Sequence, residues 1–243
     1  MSIAANVATS LATGLAKAAR SCATALLPQN CFLCAAPSGD SLLCAPCAAS
    51  LAHLTPEHCP VCALPSPASS TCGGCLKQRP HFDATQAAFR YEFPLDRLIQ
   101  SLKYVHRLAI ADFLGRELAQ LSTPQRPDLI LPVPLSRARL AQRGFNQALE
   151  IARPLARSLG VPMDITHIHR RRDTTPQASL PWKERAKNIR HAFECEIDLT
   201  GKTVLLIDDV MTTGATLNEL ARTLKAHGAA RVENRVLARA LKD

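Results

Sequence analysis

Eight of the ten cysteines of this 243-residue chain fall into four Cys-x-x-Cys pairs, and the pairs repeat. Cys31, Cys34, Cys44 and Cys47 form one quartet. Cys59, Cys62, Cys72 and Cys75 form a second, each lying 28 residues after its counterpart with the same nine-residue inner spacing. A fixed period means one structural unit used twice. A Cys-x-x-Cys turn points two sulfurs at one place, and two turns supply the four thiolates of a tetrahedral zinc site, with Zn–S near ~2.3 Å. So short a unit cannot bury enough apolar surface to fold alone, and zinc then supplies most of its folding free energy. Four thiolates leave no open coordination position, so two structural zinc ions are expected rather than a catalytic one. Iron also accepts four thiolates, but nothing here selects it. Whether the ligand sets close within each quartet or interleave across the two stays open at this level.

His53, His58 and His81 lie nearby without a partnering spacing and are expected to be packing or surface groups, as are Cys22 and Cys195. Disulfides are not expected, because a cytoplasmic location is expected and a reducing cytosol keeps thiols free. No apolar run approaches the roughly 20 residues needed to span a bilayer. Residues 1–27 are rich in Ala, Leu and Thr, with Lys17 and Arg20 set inside, where a secretory signal puts its charge first. This segment reads as a short amphipathic helix.

The second strong feature is the segment 202–228, KTVLLIDDVMTTGATLNELARTLKAHG. Thr203–Ile207 reads as a buried parallel strand. Asp208 and Asp209 follow at its C-terminal end, and then Thr212, Thr213, Gly214, Ala215 and Thr216. Leu217, Leu220, Ala221 and Leu224 fall on one helical face, and Gly228 closes the helix. In open α/β sheets ligands sit beyond the carboxyl ends of the strands. A loop entering a helix there aims free N–H groups outward, and the helix dipole favours an anion. Thr212–Thr216 is therefore expected to hold a phosphate. The paired carboxylates suit hydrogen bonds from two vicinal hydroxyls, so the whole is expected to be a ribose 5-phosphate site. The segment has neither a Walker loop nor a dinucleotide-binding glycine fingerprint.

Charge supports a phosphate-bearing partner. The formal net charge is +9, and residues 126–190 hold 13 Lys and Arg against 5 Asp and Glu, whereas residues 191–243 hold 7 against 8. A local basic excess suits nucleotides or nucleic acid. The zinc module has little of it: residues 28–80 contain only Lys77 and Arg79 as basic groups. Further apolar and periodic patterns predict strands at Thr85–Arg90 and Leu129–Val133, helix through Tyr91–Gln120 and helix from Ala148 to Leu159. Ser136–Gln147 reads as a basic loop after the second of these strands, suited to a pyrophosphate. The basic, proline-broken stretch His169–Asn188 reads as a lid.

With these motifs in order, the chain resembles the ComF/GntX family of competence-associated proteins. The matching pieces are the eight-cysteine front, the run Phe89–Tyr104, Pro132–Leu135, Arg143–Gln147, Arg172–Gln177 and the Asp208–Thr216 loop, together spanning about residues 28–240. The resemblance implies an α/β fold of the type I phosphoribosyltransferase kind, a parallel sheet flanked by helices, behind an N-terminal zinc-ribbon module. It divides the chain into an N-terminal segment (1–27), a double zinc ribbon (28–80) and a phosphoribosyltransferase-like domain (81–243). It implies a site for 5-phosphoribosyl-1-pyrophosphate (PRPP), with Mg²⁺ arriving on the pyrophosphate. Asp208 and Asp209 would hold the ribose hydroxyls, and Thr212, Thr213, Gly214, Ala215 and Thr216 the 5-phosphate. Lys103, Arg143, Asn146, Arg170, Arg171 and Arg172 would be pyrophosphate or lid contacts. The resemblance also implies handling of single-stranded DNA in natural transformation, beside a competence DNA helicase. The expected activity is pentosyl transfer to an unnamed acceptor; the alternative is a non-catalytic protein that senses PRPP or a nucleotide and binds single-stranded DNA. No residue stands out as a general base.

Overall fold

A computed structural model of the protein describes residues 29–123, 125–171 and 189–241. The expected N-terminal helix, Cys22, Arg172 and most of the expected lid lie outside the described residues. The chain divides into two compact units, one up to Leu51 and one from Ala52 onward.

In the first unit β1 (Gln29–Asn30) pairs antiparallel with β2 (Pro37–Gly39), and the short helix α1 (Ala45–Ala49) follows. The Cys31 carbonyl accepts the Ala35 N–H at 2.9 Å, and the Cys44 carbonyl accepts the Ala48 N–H at 2.9 Å. The second quartet, which lies in the second unit, repeats this conformation residue for residue. The Cys59 carbonyl accepts from Ala63 at 2.8 Å, and the Cys72 carbonyl accepts from Leu76 at 3.0 Å, in the short helix α2 (Gly73–Lys77). Ala35 and Ala63 share a left-handed backbone, with φ of 61° and 58°. The 28-residue period is thus a repeat of conformation as well as of sulfur.

The second unit is built on four parallel strands in the order β3-β8-β7-β4. These are β3 (Ala84–Arg90), β4 (Leu129–Pro132), β7 (Thr203–Met211) and β8 (Arg231–Arg239). Helices α3 (Leu95–Val105) and α4 (Leu108–Ala119) follow β3; α5 (Arg137–Arg143) and α6 (Gln147–Leu159) follow β4; α7 (Ala215–Ala226) joins β7 to β8. A two-stranded antiparallel ribbon, β5 (Ile168–Arg170) with β6 (Phe193–Cys195), stands apart from the main sheet. Alternation along β7 buries both faces. Val204 and Leu206 join a cluster with Leu217, Leu220 and Leu224 of α7 and Val232 and Val236 of β8. Cys59, Cys62, Ala63 and Cys75 lie in that same cluster, so the second cysteine unit is part of the core under the sheet. Among the described residues no helix is long and apolar enough to cross a membrane.

Three local expectations change. Strand β7 runs on to Met211, past both acids, because Asp208 pairs with Val236 and Val210 with Ala238 of β8. The expected helix through Tyr91–Gln120 starts at Leu95 and breaks at His106, whose φ is 58°. There His106 Nε2 lies 2.8 Å from the Arg143 carbonyl oxygen, and its ring meets Phe145 edge-on at 5.4 Å between centroids. The expected basic loop folds as helix α5 over Arg137–Arg143, a run of good helix formers stopped by Gly144 at φ 74°.

Candidate functional site

The sequence makes β7 end in two adjacent carboxylates, and period-two geometry sends them to opposite faces of the sheet. Asp209 shares a face with Leu205 and Ile207 and meets Lys103 of α3, with Nζ 2.5 Å from Oδ2. Burial pulls the Lys103 ammonium down, but Asp209 and then Asp208 outweigh it and hold the lysine above its ordinary value. Asp208 takes the other face, and its Oδ1 accepts the Asp209 N–H at 2.9 Å. Burial, and then the Asp209 charge, push its carboxyl up to about 7. Two carboxylates that look equivalent in the sequence are therefore different. One is paired with a lysine; the other is pushed up by burial and by its neighbour.

The loop beyond them turns on Gly214, at φ 77°, into α7. A Cβ there would come 2.6 Å from Met211 Cε, the end of a flexible side chain, so it is the left-handed backbone that favours glycine. Thr213 Oγ1 accepts the Ala215 N–H at 3.1 Å and shapes the turn. Thr212 and Thr216 line a cavity of about 610 Å³ together with Asp208, Asp209, Lys103, Arg143 and Arg170. The cavity lies at the C-terminal ends of β4 and β7. There the chain leaves β7 toward β8 on one side while β4 flanks the other, the switch point at which open α/β sheets bind ligands.

The remaining expected contacts divide. Arg143 lies at this cavity, its guanidinium 5.7 Å from the Tyr104 ring centre and its Nη1 donating to Gln147 Oε1 at 2.9 Å. Asn146 lines the cavity too, but its side chain is engaged in structure. Its Nδ2 donates to the Val133 carbonyl at 3.0 Å, and its Oδ1 caps α6 through the Ala148 N–H at 3.0 Å. Arg170 is buried and lies against the Phe193 ring. Arg171 is exposed, pairs with Glu194 at 2.8 Å and lines a neighbouring groove instead. Arg172 lies outside the described residues.

Sequence reasoning missed three groups here. Both tyrosines of the chain, Tyr91 and Tyr104, line the cavity, and Tyr104 is 70% exposed at its rim. Gln147 is 2% exposed, and its Nε2 has no partner among the described residues although the residue lines the cavity. Its place in the Arg143–Gln147 run was the only signal. Ala148 and Val133 complete the wall between them.

The cysteines form two tetrads, Cys31/Cys34/Cys44/Cys47 and Cys59/Cys62/Cys72/Cys75, the sulfurs of each within 4.8 Å of one another. Pairing is therefore sequential, not interleaved. Cys34 and Cys44 sulfurs lie 3.6 Å apart, as do Cys62 and Cys72. Four sulfurs about 2.3 Å from one ion stand about 3.8 Å from each other, so both tetrads fit zinc. Against burial, backbone N–H groups bring Cys31 down to about 6 and Cys59 to about 7. Each tetrad thus holds one sulfur ready as a thiolate. None of His53, His58 and His81 joins a tetrad among the described residues. His53 packs on Phe89 at 4.7 Å, and His58 Nδ1 lies 2.8 Å from the Thr55 carbonyl. Cys195 is buried with its thiol on the Ile197 carbonyl.

Residues 146–243 match the family model of the phosphoribosyl transferase domain, and residues 22–76 that of the double zinc ribbon domain. The chain is 37% identical over 224 residues to DNA utilization protein YhgH of Salmonella typhimurium, covering 88% of this chain and 99% of that one. It is 35% identical over 175 residues to competence protein F of Haemophilus influenzae, covering 68% and 76% respectively. Among solved structures it is similar to a purine phosphoribosyltransferase from Pyrococcus horikoshii, at 20% identity and a TM-score of 0.31, over 64% of this chain and 77% of that one.

Proposed function

Since the chain belongs to the family of the YhgH DNA utilization proteins and competence protein F, joining a double zinc ribbon to a phosphoribosyl transferase domain, we propose that it binds PRPP and acts in DNA utilization. The observation that carries this reading is the meeting of Asp208, Asp209, Thr212 and Thr216 in one cavity at the strand ends. Backbone N–H groups and hydroxyls of the 212–216 turn donate to the 5-phosphate. The Asp208 carboxylate accepts from a ribose hydroxyl, and Asp209 does so with a lone pair of Oδ1, which also accepts the Val210 N–H at 2.7 Å. Arg143 stands at the rim, where a pyrophosphate enters with its magnesium ion as part of the substrate. Preorganised cations facing a leaving pyrophosphate are what pentosyl transfer requires.

Calorimetric titration of Mg²⁺–PRPP tests this on the wild type and on Asp208→Asn/Asp209→Asn. Saturable binding by the wild type, lost in the double variant, is the expected result. No binding by folded, zinc-loaded wild type overturns it. A second reading, binding of single-stranded DNA without transfer, is favoured by one observation: Tyr104 is exposed beside Arg143, a stacking surface next to a cation. Tyr104→Ala then weakens DNA binding more than it weakens PRPP binding.

A further inference from the structure

Arg239, the last residue of β8, is 2% exposed and among the largest fully buried side chains. Its Nε donates to the Cys62 carbonyl at 2.8 Å. Its Nη1 donates to the carbonyls of Met211 at 2.8 Å and Thr212 at 2.5 Å, and to that of Ala240 at 2.8 Å. One guanidinium thus joins a ligand residue of the second tetrad to the last residue of β7 and the first residue of the loop that follows. No carboxylate pairs with it among the described residues. A buried cation without a counter-charge is costly. Four thiolates around one zinc carry a formal charge of about −2, and they are the negative groups whose fields reach Arg239 from Cys62, Cys75 and Cys72.

A second tie runs in parallel. The residues just after this tetrad pack on the loop and its helix: the His81 N–H donates to Asn218 Oδ1 at 2.7 Å, and the Phe82 ring lies 3.8 Å from where a Gly214 Cβ would be. Asp83 Oδ2 continues it, meeting Lys225 Nζ at 2.8 Å and the Val232 N–H at 2.8 Å.

We propose that Arg239 is a positioning residue that couples the metal-loaded second tetrad to the phosphate loop: the thiolates that zinc keeps deprotonated in that tetrad supply the counter-charge that keeps the guanidinium in place, and the guanidinium fixes the carbonyls of Met211 and Thr212. The second zinc site is then part of the ligand site rather than a remote scaffold. This rests on the reading of residues 212–216 as a phosphate loop.

The test uses full-length wild type and Arg239→Lys, which keeps the charge but loses the fork. Zinc per chain, hydrogen exchange of segment 208–218 against strand 204–207, and PRPP affinity are measured together. The expected variant holds two zinc ions and a protected strand, exchanges segment 208–218 at least ~10-fold faster and binds PRPP at least ~10-fold more weakly. A two-zinc variant with wild-type exchange in 208–218 overturns the proposal. If the variant does not fold, zinc is withdrawn from wild type with a thiol-reactive reagent. Exchange in 208–218 that rises as Cys59–Cys75 lose metal supports the coupling; loss of that metal with unchanged exchange overturns it. If wild type binds no PRPP, the phosphate reading fails, while exchange that still answers to Arg239 upholds the coupling.

Discussion

At the scale of single residues, the two adjacent acids carry opposite consequences. The Asp208 carboxyl is raised from 3.8 to about 7, so the folded state keeps a proton that the unfolded state has lost. Stability from this group is therefore greatest below pH 3.8 and falls as pH rises toward 7. Asp208→Asn is expected to raise thermal stability little at pH 4 and by on the order of 2 kcal/mol at pH 8, followed by calorimetry across that range. Ligand affinity should run the other way, weakening as pH drops below 7 and Asp208 takes up its proton. Asp209→Ala is expected to destabilise by about 3 kcal/mol, because it strands the buried Lys103 ammonium. Adding Lys103→Met should recover most of that loss in a double-mutant cycle read by denaturant unfolding. Gly214→Ala is expected to cost about 1 kcal/mol and to weaken the ligand, since alanine is strained at φ 77°, as thermal unfolding and titration would show.

At the scale of elements, the knuckles are the pieces most locally encoded in the sequence. Equivalent carbonyls accept equivalent N–H groups 28 residues apart, and only metal can draw four sulfurs together in so small a unit. Metal analysis should find about two zinc ions per chain, both released by a thiol-reactive reagent; one ion or none would refute the two-site assignment. Helix α6 depends on its cap. Asn146→Ala should cost about 1 kcal/mol, and it should also free the Val133 carbonyl at the cavity wall, so a small fall in ligand affinity is expected beside the fall in melting temperature. The central strands were legible from their β-branched runs, and α7 from its 3.6-residue period. Strand β8 and helix α5 were not. β8 carries Arg235, Asn234 and Arg239, all buried, in a pattern that reads as polar until their partners are known. The break at His106 was hidden as well, since its contacts with Arg143 and Phe145 come from far along the chain.

At the scale of the whole molecule, the +9 charge and the basic 126–190 region predict binding of single-stranded DNA that weakens steeply with added salt. Filter binding or anisotropy over a salt series checks this, and salt-insensitive or absent binding would count against it. The sequence by itself determined the two cysteine quartets, the parallel strand, the acid pair and the threonine-rich turn after it, because each is written in neighbouring residues with a fixed spacing. Only the tertiary structure decided that the quartets close sequentially, that the second belongs to the core of the sheet unit, that Lys103 comes from another helix to Asp209 alone, and that Arg239 reaches both Cys62 and the loop. Those contacts join residues up to 177 positions apart. No local pattern encodes them, since they follow from which buried charges and carbonyls must find each other once the sheet is closed.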